Sequence, residues 1–362
     1  MSALTIDDLR KEFGSLVAVN DANFEVEEGE FVSILGPSGS GKSTILRMIA
    51  GFESPTEGTI TLAGEDVTNN PPFERETNMV FQHLALFPHL TVGENIEYGL
   101  RQKGVDKTKQ KQSVEEMLEM VQLDGYADRD ITELSGGEQQ RVALARAIVN
   151  EPEVVLFDEP LASLDRKLRQ HMQFELQRIQ EQTGITFLYV THDQEIALSI
   201  SDRMVILNDG VIEQIGSVEE LYDRPTSEFV ADFLGDLNVI SAHLTTLTDD
   251  EAVFTAGSAE FIYDRADLQL PGGITLTADS DIDLCVRPHE MRVRSGTNNN
   301  MITGTVQNRM YRGNETAFIV DTAWGEFLVI DDNHEADDVD IGSEVSIEWD
   351  GSDTFVYTTE EH

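Results

Sequence analysis

The chain has 362 residues, which is too long for one compact core and suits two or three domains. Hydrophobic residues make up 40% of it, yet no apolar stretch approaches the ~20 residues that a membrane-spanning helix needs. With 68 Asp and Glu against 25 Lys and Arg, the formal net charge is −43, and this excess repels phosphate backbones and anionic lipid. The composition therefore excludes a membrane-spanning protein and argues against nucleic acid as the main partner.

The acidic excess predicts adaptation to a salt-rich cytoplasm, as in a halophile, because like charges destabilise a folded chain unless salt screens them. A merely soluble acidic protein is the alternative. The first residues, MSALTIDDLRKEF, contain no basic flank followed by an apolar run, so no export signal is visible and a cytoplasmic location is expected.

Residues 1–235 alternate short β-branched runs with helical patterns. The runs FVSILG, VVLFDE and TFLYVTH are typical of buried strands, and KSTILRMIA follows the first of them as a helix. This alternation predicts an α/β domain with a mainly parallel sheet and helices on its faces.

The segment GPSGSGKST, residues 36–44, has the spacing of a phosphate-binding loop between a strand and a helix. Its glycines let backbone N–H groups curl toward phosphate oxygens at the positive end of the helix, while Lys42 reaches the β and γ phosphates of ATP and Ser43 ligates Mg²⁺. The alternative is a glycine-rich turn without a ligand. The residues expected to bind the nucleotide are Gly36, Pro37, Ser38, Gly39, Ser40, Gly41, Lys42, Ser43 and Thr44.

Further along the chain, LSGGEQQRVALARAI begins with a second candidate anion site. Ser135, Gly136 and Gly137 open a predicted helix, whose N-terminus attracts negative charge.

The segment VVLFDEP carries the candidate reaction chemistry. Its apolar run, residues 154–157, delivers Asp158 and Glu159 to the carboxyl end of a buried strand, where ligands bind in such sheets. Asp158 fits a Mg²⁺ ligand and Glu159 is placed to polarise an attacking water. Alone the pattern is weak, since turns after strands often carry acids, but beside a phosphate loop it is strong.

These motifs, in this order, resemble those of the ABC ATPases, whose signature is usually LSGGQ; Glu138 stands here in place of the Gln. The resemblance implies a P-loop NTPase fold with a helical subdomain at about residues 83–150. It also implies a homodimer that binds two ATP molecules with Mg²⁺, the phosphate loop of one subunit facing the signature of the other. Hydrolysis of ATP would then reopen the dimer.

The same resemblance assigns roles to four further residues. Phe13 matches the aromatic residue that stacks on adenine, and Gln82 matches the glutamine that senses Mg²⁺ and the γ-phosphate. Asp165 ends ASLD, which resembles the family's D-loop with its first two residues reversed from the commoner SALD. His192 matches the switch histidine that contacts the γ-phosphate.

Residues 83–101, HLALFPHLTVGENIEYGLR, resemble the part of import-type subunits that receives a helix from a transmembrane permease. Pro88 and the turn after it favour side chains exposed in a loop, although the apolar residues could instead pack the helical subdomain. The resemblance implies a subunit at the cytoplasmic face of the membrane that serves an extracytoplasmic solute-binding protein indirectly.

From residue 236 to 362 the pattern changes to short alternating runs broken by Gly, Asn, Asp and Pro, which predicts an all-β domain of small barrels. Cys285, flanked by apolar residues, is expected at a buried strand position without chemistry. The segment DDNHEADDVD, residues 331–340, is predicted as an acidic loop between strands.

This second domain resembles the OB-like TOBE regulatory domain of importers for sugars, polyamines, ferric iron and oxyanions, with RPHEMRV from Arg287 matching one of its elements. Residues 231–362 carry 27 acids and 6 Arg, which argues against nucleic-acid binding and leaves dimer stabilisation or regulation. The nearest likeness is to spermidine and putrescine importers, with ferric iron, sugar, thiamine or oxyanion importers as alternatives. A soluble, non-transport ABC ATPase is the alternative class, although its usual coiled-coil insertions or fused second unit are not seen.

Overall fold

The computed structural model describes residues 1–162, 164–271, 276–294, 301–332 and 339–359. Ser163, within the predicted D-loop, and most of the predicted acidic loop at 331–340 lie outside the described residues. The chain divides into two compact units, Met1–Val218 and Glu219–His362. The domain limits at 235/236 and the helical subdomain at about 83–150 stay predictions.

The described residues of the first unit form ten strands and six helices of the α type. The strands are β1 (Ser2–Phe13), β2 (Leu16–Glu27), β3 (Phe31–Leu35), β4 (Glu57–Leu62), β5 (Glu65–Asp66), β6 (Thr77–Val80), β7 (Val154–Asp158), β8 (Thr186–Thr191), β9 (Arg203–Asn208) and β10 (Val211–Ser217). The helices are α1 (Lys42–Ile49), α2 (Val92–Gln102), α3 (Lys107–Met120), α4 (Gly136–Ile148), α5 (Arg166–Thr183) and α6 (Gln194–Ile200). Short 3-10 helices cover Pro72–Glu74 and Ile131–Glu133.

The central sheet of this unit has the strand order β10-β9-β3-β8-β7-β6, and all its neighbours are parallel except β10 and β9. Every residue of β3 and β8 is buried, as expected for strands covered on both faces. A second sheet, β2-β1-β4-β5, is antiparallel. The alternation of strands and helices predicts the first sheet but not the second, which forms through a hairpin turn at Gly14 (φ +63°).

Two hydrophobic cores lie on opposite faces of the central sheet. One contains Ile45 and Met48 of α1 together with residues of the antiparallel sheet. The other contains residues of α2, α3, α4 and α5, such as Ile96, Leu118 and Leu144. Helix α2 begins at a capping box in which Thr91 accepts from the backbone of Glu94 and the Glu94 carboxylate accepts from the Thr91 backbone.

The second unit is β-rich. Its strands are β11 (Asn238–Leu247), β12 (Glu251–Ala256), β13 (Ala259–Asp264), β14 (Ser280–Val286), β15 (Arg292–Arg294), β16 (Met301–Tyr311), β17 (Glu315–Thr322), β18 (Gly325–Asp332), β19 (Glu344–Glu348) and β20 (Thr354–Thr358). Two short helices precede them, α7 (Val218–Asp223), which starts at the division between the units, and α8 (Glu228–Leu234). A 3-10 helix covers Gly351–Asp353.

These strands form two five-stranded antiparallel sheets, in the orders β13-β12-β11-β14-β20 and β15-β19-β16-β17-β18. Buried residues from both sheets, including Phe254 and Phe318, share one core. Arg287 fixes α8 within this unit, because its guanidinium donates to the carbonyl oxygens of Tyr222, Ala231 and Gly235. Cys285 is buried on β14, as predicted, and burial raises the pKa of its thiol.

Candidate functional site

The phosphate loop, residues 36–44, connects the carboxyl end of β3 to the first turn of α1. Gly41 has a left-handed backbone (φ +104°), and a Cβ there would lie 2.4 Å from the Ala18 oxygen. A Cβ on Gly36 would lie 2.0 Å from the Leu207 oxygen. Both glycines are therefore required by backbone packing, which allows the loop to fold tightly at the N-terminus of α1.

Lys42 is buried inside this loop and spans it. Its ammonium donates to the carbonyl oxygens of Gly36 (2.8 Å) and Pro37 (2.7 Å), contacts that hold the side chain along the loop. Burial lowers the pKa of Lys42, while the charges of Glu159 and Asp158 oppose that shift. A desolvated ammonium enclosed by carbonyl oxygens is well suited to exchange those weak acceptors for phosphate oxygens.

Ser43 and Asp158 meet at the candidate metal position. The Ser43 hydroxyl donates to Asp158 Oδ1 at 3.0 Å, which joins the start of α1 to the carboxyl end of β7. Among the described residues, no cluster of three or more His, Cys, Asp or Glu side chains could hold a metal by itself. The oxygen pair nevertheless fits Mg²⁺, which binds proteins through one or two side-chain oxygens and takes its other ligands from water and phosphate.

Glu159 follows Asp158 and leaves the strand in a left-handed conformation (φ +47°), which costs of order 1–3 kcal/mol for a residue other than glycine. Its backbone N–H donates to the Val190 oxygen, and its Oε1 lies 2.9 Å from Nδ1 of His192. Because an ionised carboxylate only accepts, this contact is a hydrogen bond when Nδ1 carries the hydrogen. The strained backbone thus presents an acid and an imidazole together beside Asp158.

The signature segment is built as a helix cap. Ser135 is the N-cap of α4; its hydroxyl donates to Glu138 Oε2 (2.6 Å), and the Ser135 backbone N–H donates to the same oxygen (2.8 Å). These hydrogen bonds, with one from the Tyr126 hydroxyl, lower the pKa of Glu138. Ser135 and Gly136 are exposed and Gly137 is buried, and within the described part of the chain no phosphate-loop residue hydrogen-bonds to these three.

The structure does not gather every predicted site residue. It joins Ser43 to Asp158 and Glu159 to His192. Phe13 is 47% exposed at the end of β1, with the Lys11 ammonium 4.8 Å from its ring centre. Gln82 is exposed in the turn after β6, and Asp165 caps α5 by accepting from Leu168 N. Among the described residues, neither side chain hydrogen-bonds to the Ser43–Asp158 or Glu159–His192 pair.

Some supporting residues were missed at the level of sequence. Ser135 and Glu138 form the S-x-x-E pattern of a capping box, a local signal that the prediction of an anion site at Ser135, Gly136 and Gly137 does not use. Arg169 and Asp193 form an ion pair at 3.1 Å, and Asp193 directly follows His192 in the chain. No local sequence pattern predicts that ion pair, because its two residues are 24 positions apart on different elements.

The loop at residues 83–91, which we call the coupling loop after its predicted role, is anchored by hydrogen bonds from two buried or half-buried side chains. Arg146 of α4 donates to the carbonyl oxygens of Leu84 and Ala85, both of which have left-handed backbones. Asn95 of α2 is fully buried and accepts from the Phe87 backbone while donating to carbonyl oxygens of the same loop. Irregular backbone is thereby presented as a fixed surface with Ala85 and Pro88 exposed.

Two family models match the chain. The model described as ABC transporter matches residues 19–162, and the model described as TOBE domain matches residues 284–356. The first match contains the phosphate loop, the signature segment and the Asp158–Glu159 pair. The second lies within the β-rich unit.

Curated relatives extend over most of the chain. A spermidine/putrescine import ATP-binding protein PotA of Rubrobacter xylanophilus is 43% identical over 351 residues, covering 96% of this chain and 92% of the relative. A protein of the same name from Acidothermus cellulolyticus is 47% identical over 320 residues, covering 88% and 82%.

Two solved structures each match about three fifths of the chain. The ATP-binding cassette MJ0796, described as a dimeric post-hydrolysis state bound to ADP and Pi, superposes with a TM-score of 0.52 at 34% identity over 59% of this chain and 98% of that one. CbiO1 of Clostridium perfringens, part of the ABC transporter complex cbiONQ, has a TM-score of 0.57 at 26% identity over 60% and 90%. The predicted fold class, an ABC-type P-loop NTPase followed by a β-rich TOBE domain, is confirmed.

Proposed function

Because this chain belongs to the ABC transporter family of ATP-binding proteins, we propose that it is the ATP-hydrolysing subunit of a polyamine importer and works as a homodimer. The observation that carries the proposal is the convergence of five side chains within one unit: Lys42 in the phosphate loop, Ser43 hydrogen-bonded to Asp158, and Glu159 hydrogen-bonded to His192.

Lys42 and the N-terminus of α1 would bind the β and γ phosphates, with residues 36–44 as the cradle and Phe13 under the adenine. Ser43 and Asp158 would hold Mg²⁺, assisted by Gln82, and the ion would neutralise charge on the phosphate oxygens. Glu159 is placed to accept the proton of the attacking water, and His192 orients that carboxylate through the hydrogen bond at Nδ1.

A second copy of the chain supplies the other half of the site in this proposal. Ser135 and Gly136 are exposed at the N-terminus of α4 and Gly137 is buried directly after them, so the positive end of this helix is accessible to a second copy. Asp165 would lie at the same interface. Two ATP molecules would then hold two copies together, and hydrolysis would release them.

The coupling loop is the proposed contact with a transmembrane permease. Arg146 and Asn95 fix its backbone, so closure of the dimer would move this loop as a rigid part of the helical region. Among the described residues, no helix is long and apolar enough to cross a membrane. As the ATP-hydrolysing subunit of an importer, the chain would lie at the cytoplasmic face of the membrane and would serve a solute-binding protein only through the permease.

The polyamine assignment draws on the curated relatives, which cover nearly the whole chain, and not on any group in the ATP site. Uptake of radiolabelled spermidine and putrescine should be lost in a deletion strain and restored by the wild-type gene but not by Glu159→Gln. Uptake of a sugar, ferric iron and thiamine serves as the control. Normal polyamine uptake with loss of one of these other solutes would contradict the substrate while leaving the transport ATPase in place.

The net charge of −43 leads us to propose that folding and ATPase activity require high salt. The screening length grows from about 3 Å at 1 M salt to about 30 Å at 0.01 M, so surface carboxylates repel one another far more strongly after dilution. Melting temperature and ATPase rate should both fall as KCl is lowered. A melting temperature that stays constant over this range would show that the acidity is incidental.

A further inference from the structure

Arg169, in the first turn of α5, joins two loops of the candidate active site. Its Nη2 donates to the Leu164 oxygen at 3.0 Å, in the D-loop, and its Nη1 donates to Asp193 Oδ2 at 3.1 Å. Asp193 follows the switch histidine directly. One planar guanidinium therefore ties the loop expected at the dimer interface to the segment that carries His192.

Both ends of this link are themselves anchored. Asp193 uses its other oxygen to cap α6, accepting from Ile196 N at 3.2 Å, while its own N–H donates to Thr191 Oγ1. His192 is hydrogen-bonded to Glu159. A displacement at Leu164 would therefore reach the Glu159 carboxylate through the Arg169 and Asp193 side chains, the single backbone step from Asp193 to His192, and the His192 hydrogen bond.

The pair is more enclosed than a surface ion pair. The Arg169 and Asp193 side chains are 30% and 26% exposed, and Arg169 Nε is buried with no hydrogen-bond partner in the described residues. Both line a cavity of about 110 Å³ together with Glu159, Tyr189 and His192. In such surroundings an ion pair is screened weakly by solvent and holds a fixed geometry.

We propose that Arg169 is a positioning residue for ATP hydrolysis, which keeps the D-loop and the switch-histidine segment in register as the nucleotide site closes. It does not touch the reacting atoms; it acts through Asp193 and the loop that carries His192. The proposal rests on the proposed function, in which Glu159 activates water and a second copy approaches Asp165.

The test uses the full-length chain at high salt with four variants. Arg169→Gln removes the charge and the two-pronged link. Asp193→Asn removes the charge but keeps a side-chain oxygen that caps α6, since Asn and Asp cap helices equally well. The double variant reports whether the two residues act as one unit.

Arg178→Gln is the matched control. Arg178 lies on the same helix and makes the same types of contact: its Nη2 donates to Glu175 Oε2 (2.7 Å) and to the Met120 oxygen (2.7 Å), and its Nε is also buried without a hydrogen bond among the described residues. It does not line the cavity beside Glu159. A merely structural role for Arg169 predicts the same behaviour in both Arg variants.

Arg169→Gln and Asp193→Asn should each lower kcat about tenfold, with the Kd for ATP within about twofold of wild type, and the double variant should be no slower than the slower single variant. Arg178→Gln should lower the melting temperature and leave kcat unchanged.

Wild-type kcat in Asp193→Asn, or additive losses in the double variant, would overturn the proposal. If Arg169→Gln does not fold, Asp193→Asn and Arg169→Lys decide it, with Arg169→Lys expected to be intermediate. Wild-type turnover in Glu159→Gln would instead refute the proposed function.

Discussion

Two helix N-termini in the first unit are candidate anion sites, and the structure equips them differently. At the start of α1, Lys42 spans the phosphate loop, Ser43 donates to Asp158, and Glu159 and His192 are hydrogen-bonded to each other. At the start of α4, the described side chains around Ser135 only complete a helix cap. The first site combines a buried cation, a candidate metal position and a candidate proton acceptor, whereas the second offers only a positive helix end among the described residues. In our proposal this asymmetry is the reason that one chain is insufficient.

The largest expected effect comes from removing the cation of the first site. Lys42→Ala should weaken ATP binding by about a hundredfold, because it deletes the only ammonium within the loop and the charge-assisted hydrogen bonds it would make to the phosphates. Gln82→Ala should leave affinity near wild type and lower hydrolysis, since Gln82 is exposed and matters mainly when water is aligned. Titration calorimetry at high salt measures the two ATP affinities, and phosphate release measures hydrolysis. Equal losses of affinity would erase the distinction between the two roles.

The second site can be blocked without disturbing its own chain. A Cβ built on Gly136 meets no atom within 4 Å, so the side chain of Gly136→Leu would project into open space. If a second copy places its nucleotide there, kcat should fall about tenfold or more while the melting temperature stays near wild type and ATP still binds. Full activity in this variant would mean that Gly136 faces no nucleotide.

A smaller effect concerns the acid that caps the second site. The pKa of Glu138 is lowered by its hydrogen bonds to Ser135 and Tyr126, so its contribution to stability is present above its usual pKa of 4.5 and is lost as pH falls through the lower folded value. Glu138→Gln should keep the cap and lose this dependence. The difference in melting temperature between the two proteins, followed from pH 6 downward at constant salt, measures it. A difference that does not change with pH would show that the carboxylate is not coupled to folding.

The residues of the first site could be predicted from the sequence because their signals are local. The run VVLFDEP places Asp158 and Glu159 at a strand end, and the glycine spacing of residues 36–44 defines the loop. The sequence alone does not predict the left-handed backbone of Glu159 or the Arg169–Asp193 ion pair, since both depend on how separate elements pack. It also missed the antiparallel sheet, because the pairing of β1 with β4 joins segments about fifty residues apart, and no local pattern specifies that register.

The second unit repeats this lesson with fewer local signals. Alternating apolar runs predict its strands, and Cys285 occupies the buried position expected from its neighbours. The pairing of β11 with β14, and the three carbonyl oxygens that bind Arg287, follow only from the folded arrangement. Nothing in the RPHEMRV segment alone indicates that Arg287 is buried.

The central claim is that the second anion site completes the nucleotide site of another copy, and the mass of Glu159→Gln under saturating ATP and Mg²⁺ tests it most directly. This change keeps the size of the side chain but removes the carboxylate that would accept the proton, so ATP should remain bound between two copies. Light scattering at high salt should show a doubling of the 40.3 kDa mass, abolished by adding Gly136→Leu, with phosphate release near zero. The measurement is repeated with the permease present, where ATP should be trapped in Glu159→Gln and lost when Gly136→Leu is added. A variant that stays monomeric alone and traps no ATP with the permease, or that hydrolyses ATP at the wild-type rate, would contradict the account.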